Sequence, residues 1–370
     1  MNNSTANIHP ERGFLPYPDP LLKLHSAYRA WDELVSTMPE LLHNNDFRRA
    51  VSDLHQLDPS GIQDGLELDR SMLLLSMFAN AYVNWGPGPV RSIPKNLAVP
   101  LWEIARRSGR PPIASHASIV LNNSRRIDPD GPIDPENLNT LQNFLGGRDE
   151  DWFYLATVGV ESVGGSALDT LFTCLKAARL DRPDHVRSAL RRLASIIRDM
   201  DFALERMYDN CRPDIFYNQI RPFLTGWPDD GIVYEGVSDE PKVFIGGSAA
   251  QSSLLQALDA GLGIAHPSQR SGPFLIEMRK YMPPGHRAVL STLGSDPVLR
   301  NYLKMKNSTE LSDTYSECVS RLNIFRKKHL EMAIHYISDQ AKQGEKTEGT
   351  GGTEYVKFLS VVNKETRSVK

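Results

Sequence analysis

The pattern of apolar and polar residues predicts a chain built almost entirely of helices. From Tyr315 to Tyr336, apolar and aromatic residues recur every three or four positions, which is the spacing of one buried face of an amphipathic helix. Only the stretches 231–236 and 242–245 have the composition of extended chain, and both are short. Because strands never alternate regularly with helices, we predict an all-α fold rather than a doubly wound sheet.

The predicted helices form two groups. We expect a small, mainly helical N-terminal domain over residues 1–108 and a large helical domain over 109–370, divided at a stretch of glycine and proline. Within the large domain we expect a loop at about 236–252 and a polar, Gly-rich segment at about 342–353 that its composition predicts to be mobile. The helices predicted for the large domain span residues 135–145, 151–180, 183–210, 213–225, 249–263, 274–281, 285–293, 297–305, 309–341 and 353–366.

Composition and charge exclude several classes of function. The 370 residues carry 42 basic and 45 acidic side chains, which gives a net charge of −3. This composition has no excess of positive charge of the kind that indicates nucleic-acid binding. The longest nearly apolar run, residues 71–83, is too short to cross a bilayer, and no secretory signal is visible. Cys174, Cys211 and Cys318 include no close pair, which argues against disulfides and a Cys-rich zinc site. We therefore expect a cytoplasmic protein without nucleic-acid or membrane partners.

His329 is the most informative single residue. It lies in the middle of the apolar face of the helix at 315–336, where a polar ring needs a partner. Arg326 precedes it by one turn on nearly the same side, as suits a haem-iron ligand beside a propionate anchor. A core histidine hydrogen-bonded to a backbone carbonyl is the more common alternative. Without a c-type attachment motif any haem would be bound non-covalently, and His335 falls off the stripe, where we expect it to be solvated.

Small residues occur on the apolar stripe of the predicted helix at 151–180. The stripe narrows at Thr157, Gly164 and Gly165. Residues of this size allow either a flat or bulky ligand or a second helix to approach closely. Periodicity alone does not separate these two interpretations.

Two glycine-containing segments have their own signals. Ser248 and Gln251 have the spacing of a capping box, and Gly246 and Gly247 just before them permit close approach of the backbone to a ligand. The segment 349–353 lacks the preceding strand and the following Lys-Ser/Thr of a phosphate-binding loop. We interpret it as a hinged lid over a pocket or as a plain linker.

Phe216, Tyr217 and Arg221 place two aromatic rings one turn before a cation. This arrangement suits an aromatic amino acid whose carboxylate pairs with Arg221. A core aromatic pair with a surface arginine is the common alternative.

Several of these segments, in this order, resemble the indoleamine 2,3-dioxygenase family. The resemblance extends from about residue 151 to the C-terminus and is weaker over the first 110 residues. It implies an all-helical haem enzyme with a small and a large domain. The motifs that carry it are Arg221-Pro-Phe-Leu-Thr-Gly-Trp227, Gly231-Ile-Val-Tyr-Glu-Gly236, Gly246-Gly-Ser-Ala-Ala-Gln-Ser-Ser253, Met278-Arg-Lys-Tyr-Met-Pro-Pro-Gly-His286, His329-Leu and Gly349-Thr-Gly-Gly-Thr353.

The resemblance implies a haem b site. His329 matches the family's proximal iron ligand, and Arg326 and Asp259 match a pair at a haem propionate. Gly247, Ser248 and Ala249 match the interdomain loop above the haem, at about 236–252. No side chain is implied as an acid or base, because the cofactor carries the electronic chemistry.

The resemblance also implies a substrate pocket, with Arg221 holding the substrate carboxylate. Three positions depart from the family's pattern: Thr157 stands where a serine is often found, Tyr217 replaces a phenylalanine, and His116 stands where mammalian members have a tyrosine. Gly351 and Thr353 belong to the substrate-closing loop. The positions implied for the substrate are His116, Phe153, Thr157, Phe216, Tyr217, Arg221, Ser248, Ala249, Gly351 and Thr353.

The implied reaction is insertion of O₂ across the C2–C3 bond of L-tryptophan to give N-formylkynurenine. An electron donor that keeps the iron ferrous is implied as a partner, and we expect a monomer. Three alternatives stay open at this point: a haem enzyme of the same fold that acts on another indole, a haem-binding sensor or carrier without turnover, and a helical scaffold without haem.

Overall fold

The computed structural model describes residues 9–342, 348–350, 352 and 354–369. Helices dominate this part of the chain, which confirms the all-α prediction. The helices before residue 109 are α1 (Arg29–His43), α2 (Phe47–Asp53), α3 (Leu66–Asn84) and α4 (Lys95–Ser108). Those that follow are α5 (Arg148–Gly164), α6 (Ala167–Arg179), α7 (Pro183–Glu205), α8 (Met207–Asn210), α9 (Pro213–Ile215), α10 (Arg221–Leu224), α11 (Ser253–Leu262), α12 (Gly272–Arg279), α13 (Pro284–Gly294), α14 (Val298–Lys306), α15 (Thr309–Tyr336) and α16 (Tyr355–Arg367).

α3 is the central helix of the N-terminal part, and the apolar run at 71–83 is its buried segment. α1 and α4 pack against it. The buried side chain of Asn80 in α3 donates a hydrogen bond of 2.8 Å to the carbonyl of Phe223 and accepts one of 3.0 Å from the amide of Ala114. These bonds tie α3 to the later part of the chain, and the division into 1–108 and 109–370 stays a prediction. Across the described residues, no helix has both the length and the apolar character needed to cross a membrane.

The single helix predicted at 151–180 is wrong, because α5 and α6 are separated at Gly165. A Cβ atom at Gly165 would lie 2.4 Å from the carbonyl oxygen of Glu11, so the N-terminal segment passes directly over this corner. A Cβ atom at Gly164 would lie 2.3 Å from Leu254 in α11. These glycines therefore serve close packing, which was one of the two interpretations of the small residues.

The helix predicted at 135–145 is also wrong. A 3₁₀ turn at Pro135–Asn137 leads into β3 (Leu138–Thr140), which pairs antiparallel with β2 (Ser124–Arg126). The backbone amides of residues 144–146 donate hydrogen bonds of 2.7, 2.9 and 2.8 Å to the carboxylate of Glu150 instead of to helical carbonyls. The carboxylate of Glu150 thus accepts the hydrogen bonds that these backbone amides would otherwise donate within a helix.

A second, three-stranded sheet has the order β1 (Ser92–Ile93), β4 (Ile232–Tyr234), β5 (Ser238–Lys242). β4 confirms the extended stretch predicted at 231–236. The strand predicted at 242–245 is misplaced, because β5 ends at Lys242. Antiparallel pairing with β4 places β5 immediately after the turn, which explains the shift.

α15 carries His329 and forms one side of the candidate site. Its predicted apolar stripe is confirmed, since Tyr315, Phe325 and Tyr336 are all buried, and it packs on α7 and α16. The capping box between Ser248 and Gln251 is confirmed too, but it opens a 3₁₀ turn, and α11 begins two residues later.

Candidate functional site

A large cleft lies between α5, α15 and the segment that leads into α11. It holds about 1250 Å³ of empty space, which includes its opening to solvent. Most of its lining is apolar, with a few polar side chains. The structure brings together in its wall these positions that were predicted to form the site: His116, Phe153, Thr157, Phe216, Gly247, Ser248, Ala249 and His329.

His329 presents an unpartnered imidazole to this cleft. Within the described residues neither of its ring nitrogens makes a hydrogen bond, so it is not the core histidine bonded to a carbonyl. Burial lowers the pKa of His329 to about 4, and the nearby charge of Arg326 acts in the same direction. The ring is therefore neutral at pH 7, with a nitrogen lone pair available for a metal.

A second cleft of about 970 Å³ adjoins the first and shares His329 with it. Arg326 and Asp259 line this second cleft. Both nitrogen–oxygen distances from Nη2 of Arg326 to the carboxylate of Asp259 are short, 2.7 and 2.6 Å. Arg326 thus lies one helical turn before His329 and is paired with a carboxylate from α11.

The pair of Arg326 and Asp259 belongs to a larger buried network. Nε2 of His266 lies 3.0 Å from the carboxylate of Asp259, and its Nδ1 lies 2.8 Å from that of Glu365 in α16. Arg326 also donates to the hydroxyl of Thr366. Burial opposes ionisation of Asp259, but the charge of Arg326 and the bond with His266 hold its pKa below the ordinary value. His266, Glu365 and Thr366 were missed, because no local pattern relates α16 to α11.

Aromatic rings form the part of the cleft near α5. The rings of Phe153 and Phe216 have centroids 4.9 Å apart, and Tyr336 packs edge-on against Phe216 at 5.7 Å. Thr157 donates its hydroxyl to the carbonyl of Phe153 at 2.8 Å. Phe216 does not lie in the continuous helix predicted at 213–225, because a π-helical turn separates α9 from α10. Such turns often occur at functional sites.

Arg221 and Tyr217 lie at the edge of the cleft rather than in its wall, as far as the described residues define it. The guanidinium of Arg221 stacks 5.2 Å above the ring of Tyr217 and donates to the carbonyl of Glu348. The hydroxyl of Thr350, which does line the cleft, donates to the carbonyl of Gly247. Residues 348–350 therefore lie over the rim near Arg221. Gly351 and Thr353, predicted for the same loop, lie outside the described residues.

His116 brings two unpredicted side chains into the site. Its Nε2 lies 2.9 Å from Oε1 of Glu161, and Ser252 donates to the same oxygen at 2.6 Å. All three residues are buried and line the cleft. Glu161 carried a usable signal in the sequence, since it follows Thr157 by one turn and Phe153 by two on one face of α5.

Comparison with known proteins identifies the family. A family model described as "IDO: Indoleamine 2,3-dioxygenase" matches residues 3–369. The chain belongs to the indoleamine 2,3-dioxygenase family. It is 37% identical to indoleamine 2,3-dioxygenase 2 of Homo sapiens, over 99% of this chain and 95% of that protein. It is 36% identical to indoleamine 2,3-dioxygenase of Saccharomyces cerevisiae, over 97% and 91% respectively.

The family's relatives include proteins with another name. Myoglobin of Haliotis madaka is 30% identical, over 99% of this chain and 98% of its own length. Membership in the indoleamine 2,3-dioxygenase family confirms the resemblance found in the sequence and extends it over the first 110 residues, where the motifs were weak. The roles of individual residues stay predictions.

Proposed function

We propose that this protein is a haem b-dependent dioxygenase that cleaves the indole ring of L-tryptophan. The observation that carries the proposal is the neutral, unpartnered imidazole of His329 in an apolar cleft. Haem iron takes its proximal ligand from such a histidine. The family's name and the similarity to indoleamine 2,3-dioxygenases support the same conclusion.

The residues around His329 fit a haem group. Apolar side chains, including Phe325 and Leu255, border both clefts and suit a porphyrin face. Arg326 lies at the edge of the second cleft, where its guanidinium suits a propionate. Gly247 and Ser248 line the first cleft and would contact the group there. No covalent attachment is needed for such a group.

Binding and orientation of the substrate are the work of the chain. Phe153 and Phe216 hold the flat indole by apolar contact, and Arg221 pairs with the carboxylate after exchanging its bond to the Glu348 carbonyl. Ser248, Ala249 and the loop with Gly351 and Thr353 close the pocket and exclude water. Tyr217 supports Arg221 through its ring.

When bound, ferrous haem supplies the O₂ chemistry that inserts both oxygen atoms across the C2–C3 bond, and the product is N-formylkynurenine. An external electron donor keeps the iron ferrous. We propose a cytoplasmic, monomeric enzyme with a boundary between a smaller N-terminal and a larger domain near residue 108.

A test of the iron ligand is an absorption spectrum of the purified protein, ferric and then ferrous with L-tryptophan added. We expect a histidine-ligated Soret band in the wild type and its loss in His329→Ala. Replacement of His335, which is half exposed in the same helix, by alanine is the matched control and should leave the band intact. A colourless protein that takes up no added haemin, or a normal band in His329→Ala, contradicts the assignment.

A second candidate function is reversible O₂ binding at the same haem without turnover. One relative at 30% identity, from Haliotis madaka, has the name myoglobin. Assay of N-formylkynurenine separates the two candidates. Product formation from L-tryptophan over many turnovers supports the dioxygenase, whereas a stable oxygenated spectrum without product supports the carrier.

A further inference from the structure

The helix α16 forms one wall of the second cleft. Arg326 and His329 line that cleft as well. We therefore expect a haem group ligated by His329, with a propionate at Arg326, to contact the inner face of α16. The residues of α16 that line the cleft are Tyr355, Phe358, Leu359 and Val362.

α16 is less deeply embedded than the other helices around this cleft. It packs mainly on α15, whereas α15 also packs on α7, and α11 packs on α6 and α13. The outer face of α16 is exposed at Lys357 and Lys364, so the helix lies between the cleft and solvent. Displacement of α16 would therefore open the second cleft and leave the other helices packed on one another.

Glu365 attaches the last turn of α16 to the chain that joins α11 to α12. Its Oε1 accepts the amide of Ser268 at 3.0 Å, and the hydroxyl of Ser271 lies 3.0 and 2.8 Å from its two oxygens. Its Oε2 lies 2.8 Å from Nδ1 of His266. The side chains of Glu365 and His266 are only 13 and 8% exposed, so water replaces these contacts poorly when they break.

Thr366 attaches the same turn to Arg326, the residue that suits a propionate. Nη1 of Arg326 donates to the hydroxyl of Thr366, while Nη2 donates to the carboxylate of Asp259. Both Arg326 and Thr366 are buried. His266 connects Glu365 to the same carboxylate of Asp259. The residues that fasten α16 are therefore bonded to the pair of side chains at the propionate position.

We infer that α16 is a retaining helix for the haem group, fastened by a latch that consists of Glu365 and Thr366. While the latch is closed, α16 covers the second cleft and Arg326 is held in place. When the latch opens, α16 moves away from α15 and the cleft is open to solvent. The contacts of Glu365 therefore set the rate of haem loss. The inference rests on one part of the proposed function, haem at His329, and requires no turnover.

The charge of Glu365 makes the direction of the effect informative. A carboxylate near Arg326 repels a propionate and weakens its attraction to the arginine. If Glu365 acted through its charge alone, its removal would slow haem loss. If Glu365 acts as a latch, its removal breaks the contacts with Ser268, Ser271 and His266 and accelerates haem loss. The two roles predict changes of opposite sign.

The test measures transfer of haem from the ferric full-length protein to an excess of apomyoglobin, followed in the Soret band. We expect a first-order rate at least about tenfold higher in Glu365→Ala than in the wild type, because hydrogen bonds to a buried charged acceptor are among the stronger ones. Glu354→Ala is the matched control, since it makes the same change at an exposed ion pair of α16 with Lys357. Its rate should equal that of the wild type. Ser271→Ala removes one donor to Glu365, should give a smaller increase, and serves if Glu365→Ala fails to fold.

A second control separates the latch from a general loss of stability. Gly165→Ala places a methyl group 2.4 Å from the carbonyl oxygen of Glu11, at the corner between α5 and α6. It should lower the free energy of unfolding and change the rate of haem transfer by less than about twofold. A rate in Gly165→Ala as high as in Glu365→Ala would show that haem loss follows overall stability, and would overturn the latch.

Hydrogen exchange of the haem-free, full-length protein provides a readout that does not depend on the cofactor. In Glu365→Ala, the amides of α16 should exchange at least about tenfold faster than in the wild type, while those of α7 and α11 keep their rates. Slower or unchanged haem transfer in a folded Glu365→Ala variant, or unchanged exchange in α16, overturns the latch. A wild type that takes up no haem overturns the proposed function, and the exchange of α16 then still decides whether Glu365 fastens this helix.

Discussion

Burial sets the charge state of the residues at the centre of the site. His329 is kept neutral by its apolar surroundings, with a pKa of about 4, whereas Asp259 is kept ionised by Arg326 despite its burial. A neutral imidazole suits iron, and a paired arginine suits a propionate. The neutral state of His329 and the ionised state of Asp259 therefore follow from the packing of two residues one turn apart on α15, Arg326 and His329, and of Asp259 on α11.

Arg221 provides the first prediction at the residue scale. Arg221→Ala should lower kcat/KM for L-tryptophan by roughly 30-fold or more, because a charged partner of the carboxylate is lost. Its haem spectrum should stay normal, since Arg221 lies at the rim and not against His329. Arg29→Ala, at an exposed site in α1, is the control. Steady-state kinetics equal to those of the wild type would remove Arg221 from the substrate site.

His266 provides a prediction about pH. Burial and the charge of Arg326 oppose its charged form, but the hydrogen bond and charge of Asp259 and the hydrogen bond with Glu365 outweigh them and raise its pKa above the ordinary value of 6.5. A pKa raised in the folded state stabilises the protein below pH 6.5, and this stabilisation is lost as the pH rises through the folded pKa. The free energy of unfolding should therefore decline as the pH rises from about 6.5 through the folded pKa of His266. His266→Gln should flatten this decline.

The control for His266 lies in α15. His335→Gln removes a histidine whose side chain is 50% exposed beside Asp339, where solvent screens the pair in both states. Urea titrations from pH 6 to pH 9 should give His335→Gln the slope of the wild type. A His266→Gln variant with that same slope would show that the buried network does not bind its proton more tightly than the unfolded chain does.

At the scale of elements, local periodicity predicted the helices well and their interruptions poorly. The stripe of α15 is long, regular and capped by Ser308, so neighbours within a turn determine it. The stripe continues from α5 into α6 in the sequence, yet the chain bends at Gly165. A distant segment, the backbone around Glu11, packs on this corner, and we expect this packing to favour the bend.

Gly165→Ala tests this cause. An added methyl group would lie 2.4 Å from the carbonyl oxygen of Glu11, and overpacking of this kind costs about 1–3 kcal/mol. Gly285→Ala in α13 is the matched control, because a Cβ atom there has no neighbour within 4 Å. Gly285→Ala should raise the free energy of unfolding by about 0.4–1 kcal/mol, because alanine reduces the conformational freedom of the unfolded chain. Equal stability of the two variants would show that residues 11–13 move away at little cost.

At the scale of the whole molecule, single side chains join segments that are far apart in sequence. Asn80 of α3 bonds to Phe223 and Ala114, and Asn84 one turn later bonds to the carbonyl of Thr225 at 2.9 Å. The helices before residue 109 thus hold the backbone that leads from Phe216 towards Gly247, and through it one wall of the cleft.

Asn80→Ala should lower the free energy of unfolding by roughly 2 kcal/mol or more, because it leaves a buried carbonyl and a buried amide without partners. Asn84→Ala removes a bond that solvent replaces and should cost less than about 1 kcal/mol. Urea unfolding monitored by circular dichroism provides both values. A smaller loss for Asn80→Ala than for Asn84→Ala would contradict the bridging role.

The amino-acid sequence by itself determined the helical class, the apolar stripe with His329 and Arg326 on it, and the motifs of the indoleamine 2,3-dioxygenase family. These features depend on neighbours within one or two helical turns, or on motifs of a few consecutive residues. Only the tertiary structure decided that Glu161 meets His116 and Ser252, 45 and 91 residues away, and that His266 meets Glu365, 99 residues away. Such partners are chosen by how whole helices pack, because hydrogen-bond donors and acceptors far apart in the chain have no periodic relation that local sequence records.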